Sequence, residues 1–262
     1  MELPLYQVDA FASKVFEGNP AAVCPLEEWL DDSLLQAIAM ENNLSETAFF
    51  VKRENDYELR WFTPLAEVDL CGHATLATAF VLKTLLKESS NFFIFQSKSG
   101  PLSVSFKDGL YTLDFPTRAG EKLADIAKDL KNANVGNPIE AYQARELMLV
   151  YRTEAEVLSL SPDMKELAKL SSLGVIATAP GGKYDFVSRA FFPKIGIDED
   201  PVTGSAHCTT IPYWANALGK NTLKARQVSF RGGDVYCELL GDRCLIGGHA
   251  VLYKEGRIIL PD

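Results

Sequence analysis

This chain states one pattern twice. Arg60-Trp61-Phe62-Thr63-Pro64 opens a stretch that passes Asp69 and reaches Gly72-His73-Ala74. Arg189-Ala190-Phe191-Phe192-Pro193 opens another that passes Asp198 and reaches Gly204-Ser205-Ala206. The offset is 129 at the arginine (189 − 60), the phenylalanine, the proline and the aspartate, and 132 at the glycine (204 − 72) and the alanine. The second copy is therefore expected to carry three extra residues between Asp198 and Gly204. Duplicated halves predict two lobes of one plan. A small-molecule site is expected between such lobes, where clefts commonly form.

Size and charge fit that picture. The 262 residues suit two domains, each with a core of its own. A net charge of −9 with no basic cluster argues against nucleic acid or an anionic membrane as partner. It leaves room for an anionic substrate, which helix dipoles can hold. The five cysteines are Cys24, Cys71, Cys208, Cys237 and Cys244. Their odd number, without a CxxC pair or a signal peptide, predicts a reduced, cytoplasmic protein. No apolar run approaches the length of a membrane span.

The order of elements is readable in outline. Strands are expected at Leu3 to Phe11, Ala21 to Cys24, Thr47 to Lys52 and Tyr57 to Phe62. Asp31-Asp32-Ser33 offers N-cap chemistry for a helix through about Met40. Residues 73–87 read as a helix whose first half is apolar nearly all round, hence buried. Ser205 to Leu218 has the same character, and Pro212 should kink or interrupt it. Alternation across Asp108-Gly109 predicts a hairpin over 102–115. A boundary is expected in Pro116 to Gly120. A helix at about 121–131, strands to about 151, a helix near 163–170 and further strands follow.

Both repeat loops lead into a buried helix, where free N–H groups and a positive dipole end collect. Either Gly72 and Gly204 merely permit tight turns, or the two termini hold a carboxylate or the enolate formed beside one. Glu46, in Asn43-Leu44-Ser45-Glu46-Thr47, is either a solvated or capping carboxylate or, if shielded from water, a general base. His73 opens the first buried helix. The dipole there favours a neutral ring able to donate to an oxyanion, and the alternative is plain packing. Asp200 either holds a proton or a substrate amine, or belongs to an exposed acidic run. Cys71 is either a reactive thiol at a helix start or a buried structural cysteine. His207 and His249 show no ligand spacing with His73, so no metal site is expected. Motifs for nucleotide cofactors and serine hydrolases are missing.

Four motifs stand in order: Gly18-Asn19-Pro20-Ala21-Ala22-Val23, Asn43-Leu44-Ser45-Glu46-Thr47, Leu70-Cys71-Gly72-His73-Ala74-Thr75, and Asp200-Pro201-Val202-Thr203-Gly204-Ser205-Ala206-His207. Together they resemble the PhzF family of phenazine-biosynthesis-like isomerases, whose fold is that of diaminopimelate epimerase. The resemblance spans essentially the whole chain. It implies an α+β fold of two pseudo-symmetric lobes, each a curved, mostly antiparallel sheet round a central helix. Residues 1–116 with 250–262 would form one lobe and 117–249 the other. It implies a cofactor-free site and a homodimer. Glu46 is similar to the family's acid/base glutamate. His73, Asp200 and Ser205 match its other catalytic positions, and Asn19, Gly72, Ala74, Thr203 and Gly204 stand where substrate is bound.

The epimerase branch uses two facing cysteines. Cys71 could be the first, but the equivalent place in the second repeat is nearest Pro201, and Cys208 is out of register. The expectation is thus an isomerase in which Glu46 moves a proton between carbons of a small carboxylate metabolite. The alternatives are a cysteine-dependent racemase or epimerase using Cys71, and a catalytically idle small-molecule-binding homologue.

Overall fold

The computed structural model describes residues 1–125, 130 and 132–260. The chain divides into two compact units, Met1–Asp114 with Gly247–Asp262, and Phe115–Ile246. In chain order the elements are β1 (Glu2–Ala10), β2 (Asn19–Leu26), α1 (Asp32–Asn42), β3 (Glu46–Lys52), β4 (Tyr57–Phe62), β5 (Glu67–Val68), α2 (Gly72–Phe80), β6 (Phe92–Ser97), β7 (Gly100–Lys107) and β8 (Leu110–Pro116). There follow β9 (Glu121–Lys122), β10 (Glu140–Gln143), β11 (Leu147–Val150), α3 (Glu154–Leu158), α4 (Met164–Leu167), β12 (Val175–Pro180), β13 (Phe186–Phe192), β14 (Ile197–Asp200), α5 (Gly204–Leu218), β15 (Thr222–Gln227), β16 (Gly233–Leu240), β17 (Arg243–Gly248) and β18 (Ala250–Ile259). Among the described residues no helix is long and apolar enough to cross a membrane.

In the first unit β1 lies between β2 and β18, antiparallel to both. β2 and β3 are parallel, β3 and β4 antiparallel, and β4 pairs parallel with β6. The sheet curves round α2, whose residues His73 to Phe80 are all buried. A helix without a polar face can only sit inside a sheet in this way. Its last stretch, Val81–Leu85, widens into a π-helical turn, with Leu86 N–H bonding Val81 C=O at 2.9 Å. The helix expected to reach residue 87 therefore ends in a looser coil. The β7–β8 turn has positive φ at both Asp108 (51°) and Gly109 (84°), as a two-residue hairpin loop requires.

The second unit repeats this wiring. β10–β11 is antiparallel, β11–β12 parallel, β12–β13 antiparallel and β13–β15 parallel. β9 flanks β10 as β18 flanks β1. α5 takes the place of α2: Trp214 Nε1 donates to Thr178 Oγ1 on β12 at 2.8 Å, and its ring stacks on Phe186 of β13.

Several details differ from the sequence reading. Trp61 pairs with Val68 in one unit and Ala190 with Asp200 in the other. The offset is thus already 132 at the β5/β14 position (200 − 68). The three extra residues lie earlier than expected, in the 3₁₀ turn Pro193–Ile195 ahead of β14. Cys71 and Thr203 are both N-cap residues, so Thr203, not Pro201, is the counterpart of Cys71. Asp31 is an N-cap by position only, with no side-chain cap bond. Pro212 does not interrupt α5. The carbonyl it leaves unbonded, that of Cys208, accepts the Arg118 N–H at 2.8 Å.

Where a helix was expected over 121–131, Glu121 and Lys122 form β9, and Lys122 pairs with Glu140 across the β9–β10 ladder. The rest of that expectation, 126–129 and 131, lies outside the described residues. The helix near 163–170 is only the single turn α4, capped by the Asp163 side chain. α3 went unforeseen although Thr153 and Glu156 form a complete capping box.

Candidate active site

Glu46, Asn19, Cys71 and His73 converge in the first unit. Glu46 begins β3, beside Ala21 of the parallel strand β2. Asn19 is the first residue of β2, and the turn before it depends on Gly18. There φ is +67°, and a Cβ would lie 2.0 Å from Ala10 O, so no other residue fits without moving the strand. Cys71 and His73 stand at the N-cap and second position of α2. All four are buried, Glu46 with 8% of its surface exposed.

Nε2 of His73 lies 3.0 Å from Oε2 of Glu46. The approach is close but poorly directed, and Oε2 has no aligned hydrogen-bond donor. On the other edge of the ring, Nδ1 is 3.2 Å from Asn19 Nδ2 and 3.5 Å from Cys71 Sγ. Burial draws His73 towards neutrality, yet the Cys71 sulfur and the Glu46 carboxylate outweigh it and hold its pKa well above the ordinary imidazole range. These neighbours oppose the neutral ring that the helix dipole favours. Burial first, then the Glu46 charge, pushes the Cys71 thiol up to about 11, against the smaller opposing effect of His73. Cys71 is a protonated thiol at neutral pH.

The first intrahelical bond of α2 runs from Thr75 N–H to Cys71 C=O at 3.1 Å. The N–H groups of Gly72, His73 and Ala74 therefore have no partner within the helix. They form the positive end of its dipole directly beside Glu46 and His73.

Asp200, Thr203, Gly204 and Ser205 come together at the start of α5 in the second unit. Of the acidic run, Asp198 is exposed, Glu199 pairs with Arg189, and Asp200 alone is buried. Thr203 Oγ1 donates to Asp200 Oδ2 at 2.5 Å. Gln227, at the end of β15, locks this turn: it accepts Thr203 N–H at 2.9 Å and donates to Asp200 C=O at 2.7 Å. His207 Nδ1 bonds Thr203 C=O at 2.8 Å. Thr75, its counterpart (207 − 75 = 132), bonds Cys71 C=O in the same way. Gln227 escaped the sequence reading because a lone glutamine closing a strand belongs to no motif. Glu146 escaped it too; burial raises its pKa, and neither oxygen has a hydrogen-bond partner.

Histidine spacing gave no metal set, but three different side chains do converge. Donor atoms of Glu46, Cys71 and His73 all lie within 4.8 Å of one another.

The α+β architecture is shared with racemases and epimerases. A hydroxyproline epimerase of Agrobacterium vitis superposes with a TM-score of 0.64 over 100% of this chain and 93% of its own, at only 11% identity. Residues 8–256 match the phenazine biosynthesis-like protein family, PhzC-PhzF; the chain belongs to that family and is an isomerase. A PhzF-family protein of Enterococcus faecalis is 50% identical, with a TM-score of 0.97 over 99% of this chain and 100% of its own. A protein named an uncharacterized isomerase in Pseudomonas aeruginosa is 49% identical over 260 residues, 99% of this chain and 100% of that one.

Proposed function

We propose that the protein isomerises a small carboxylate-bearing metabolite without a cofactor, and that Glu46 alone carries the proton. The observation that carries this reading is a buried carboxylate whose Oε2 lacks an aligned donor, set beside the amides that open α2 without helical partners. Glu46 takes a proton from a carbon conjugated with the substrate carboxylate. The electron pair delocalises into that carboxylate, and the Gly72 and Ala74 amides with His73 stabilise the charge. Glu46 then returns its proton to another carbon of the same molecule, so the formula is unchanged. Asn19 holds His73 in place. Asp200, Thr203, Gly204 and Ser205 are the proposed substrate contacts of the second unit.

The cysteine route has less support. Cys71 is held as a thiol, and its counterpart Thr203 cannot supply a second sulfur. The five free, buried cysteines favour a reducing, cytoplasmic setting. We also propose a homodimer, to be measured by sedimentation equilibrium.

The test is solvent-deuterium incorporation into a panel of amino, hydroxy and dihydroaromatic acids. Wild type exchanges at least one acid and Glu46→Gln binds it without exchange. Full exchange by Glu46→Gln would sink the assignment.

A further inference from the structure

We infer that the outer edge of β18 is the surface through which two copies of this chain pair, strand to strand, about a two-fold axis at Gly256. The inference rests on the homodimer proposed above and names its interface. Among the described residues the ladder of β18 runs to β1, along one edge. Five consecutive residues, Tyr253 to Arg257, are exposed. An open edge offers its N–H and C=O groups to another strand. Charges and a bulge are the usual defences of such an edge, and β18 has both. Its register against β1 passes over Tyr253, and Lys254, Glu255 and Arg257 follow.

The order of those charges fits the edge to itself. In an antiparallel pair related by a two-fold axis, opposing residues share a face, so the register is centred on a residue and not between two. Centred on Lys254, Glu255 or Arg257, it sets like charges face to face, which is destabilising. Centred on Gly256, it sets Glu255 opposite Arg257 of the second copy, at two symmetric places. Arg257 also donates to Glu2 of its own chain at 2.8 Å, and its fork has donors for a second carboxylate. A Cβ on Gly256 would meet nothing within 4 Å, so the axis is open. The apolar residues agree with the same register, which brings Tyr253 level with Ile259 of the second copy. Tyr253 is 47% exposed and Ile259 77%. Phe16, 66% exposed, lies edge-on to Tyr253 with ring centroids 5.6 Å apart. Its φ is 73°, which a bulky residue rarely adopts, and its N–H is tied to Asp9 Oδ2 at 2.9 Å. An aromatic pair fixed in solvent beside an open strand is an anchor of the kind a partner buries.

The experiment is a charge swap in the full chain, read by sedimentation equilibrium with folding checked by circular dichroism. Wild type is expected to be a dimer. Glu255→Arg sets arginine against arginine, and Arg257→Glu sets glutamate against glutamate. Each alone is expected to raise the dimer dissociation constant about tenfold or more. Mixed in equal amounts, the two variants are expected to dimerise again, because each now faces its opposite charge. A wild-type dimer that neither variant weakens, or that mixing does not restore, overturns this edge while the homodimer stands. A wild-type monomer overturns both. If either variant fails to fold, Gly256→Cys decides instead. Oxidised glutathione is expected to cross-link two such chains through the axis, and chains that stay single overturn the edge.

Discussion

The two helix entrances were built from one template and now differ in what they can do. Around α2, position for position, stand Cys71, His73 and, across the sheet, Glu46. Around α5 stand Thr203, Ser205 and, at the register position matching Glu46, Gly174. That last match follows from the ladders, because Thr47 faces Phe62 as Val175 faces Phe191. Gly174 has no room to grow: a Cβ would fall 2.4 Å from the Phe192 ring and 2.5 Å from Phe191 O. Duplication preserved the frame and left a carboxylate at this register position in one copy only. That asymmetry agrees with the proposed proton transfer by Glu46.

The parts that did stay alike belong to the frame. Arg60 makes two hydrogen bonds to Glu67 and lies over the Phe62 ring. Arg189 does the same with Glu199 and Phe191. Each hairpin stands just ahead of its helix, β5 before α2 and β14 before α5, and neither arginine takes part in the proposed chemistry.

The contrast can be broken in four places. The largest effect belongs to Glu46→Gln, expected to slow isotope exchange on the order of 10²–10⁴-fold. Ser205→Ala should cost markedly less, and equal losses in the two variants would deny that one unit holds the base. Next comes acid stability. Burial depresses His207 from 6.5 to about 4, against a smaller upward pull from its bond to Thr203. Between those values the unfolded chain holds a proton that the folded one refuses. Stability is therefore intact above about pH 6.5 and falls as pH drops towards 4, by about 3 kcal/mol in all. Denaturant titrations of His207→Gln should show that slope flattened; Thr75, the counterpart, does not titrate.

The duplicated arginines come third. Arg189 also donates to the carbonyls of Val157 and Leu160, which Arg60 has no match for, although Arg60 gains Asp32. Arg189→Ala should cost about 3 kcal/mol and Arg60→Ala about 2 kcal/mol, because bonds to carbonyls in the interior go unmade. A larger loss at Arg60 would reverse the ranking of the two hairpins. The smallest effect is expected for Pro212→Ala, under about 1 kcal/mol. The missing helix bond is already replaced by Arg118, so a melting temperature raised by many degrees would show strain that this structure does not contain.

Much of this was legible because it depends on local pattern. The unbroken apolar faces of α2 and α5 announced buried helices, and alternation with Asp108-Gly109 announced the hairpin. The repeat announced a doubled plan but misplaced its insertion, since Asp69 and Asp198 coincide by letter and not by ladder position. Glu46, Asn19 and His73 were named from motifs, while their distances could come only from the parallel pairing of β2 with β3. The pull of Glu46 on His73 gave no signal for the same reason, because the two are 27 residues apart in sequence (73 − 46). Gln227 and Glu146 gave no signal: each is an ordinary polar residue whose importance arises from what surrounds it.

β1 reaches its full complement of neighbours only through β18. On a ribosome, the opening strand must wait, one edge bare, while some 240 further residues emerge (250 − 10). The half encoded later can complete its own ladder sooner than the half encoded first. Nascent chains of this design spend most of their synthesis with a sticky amino-terminal edge, and chaperone demand should fall there.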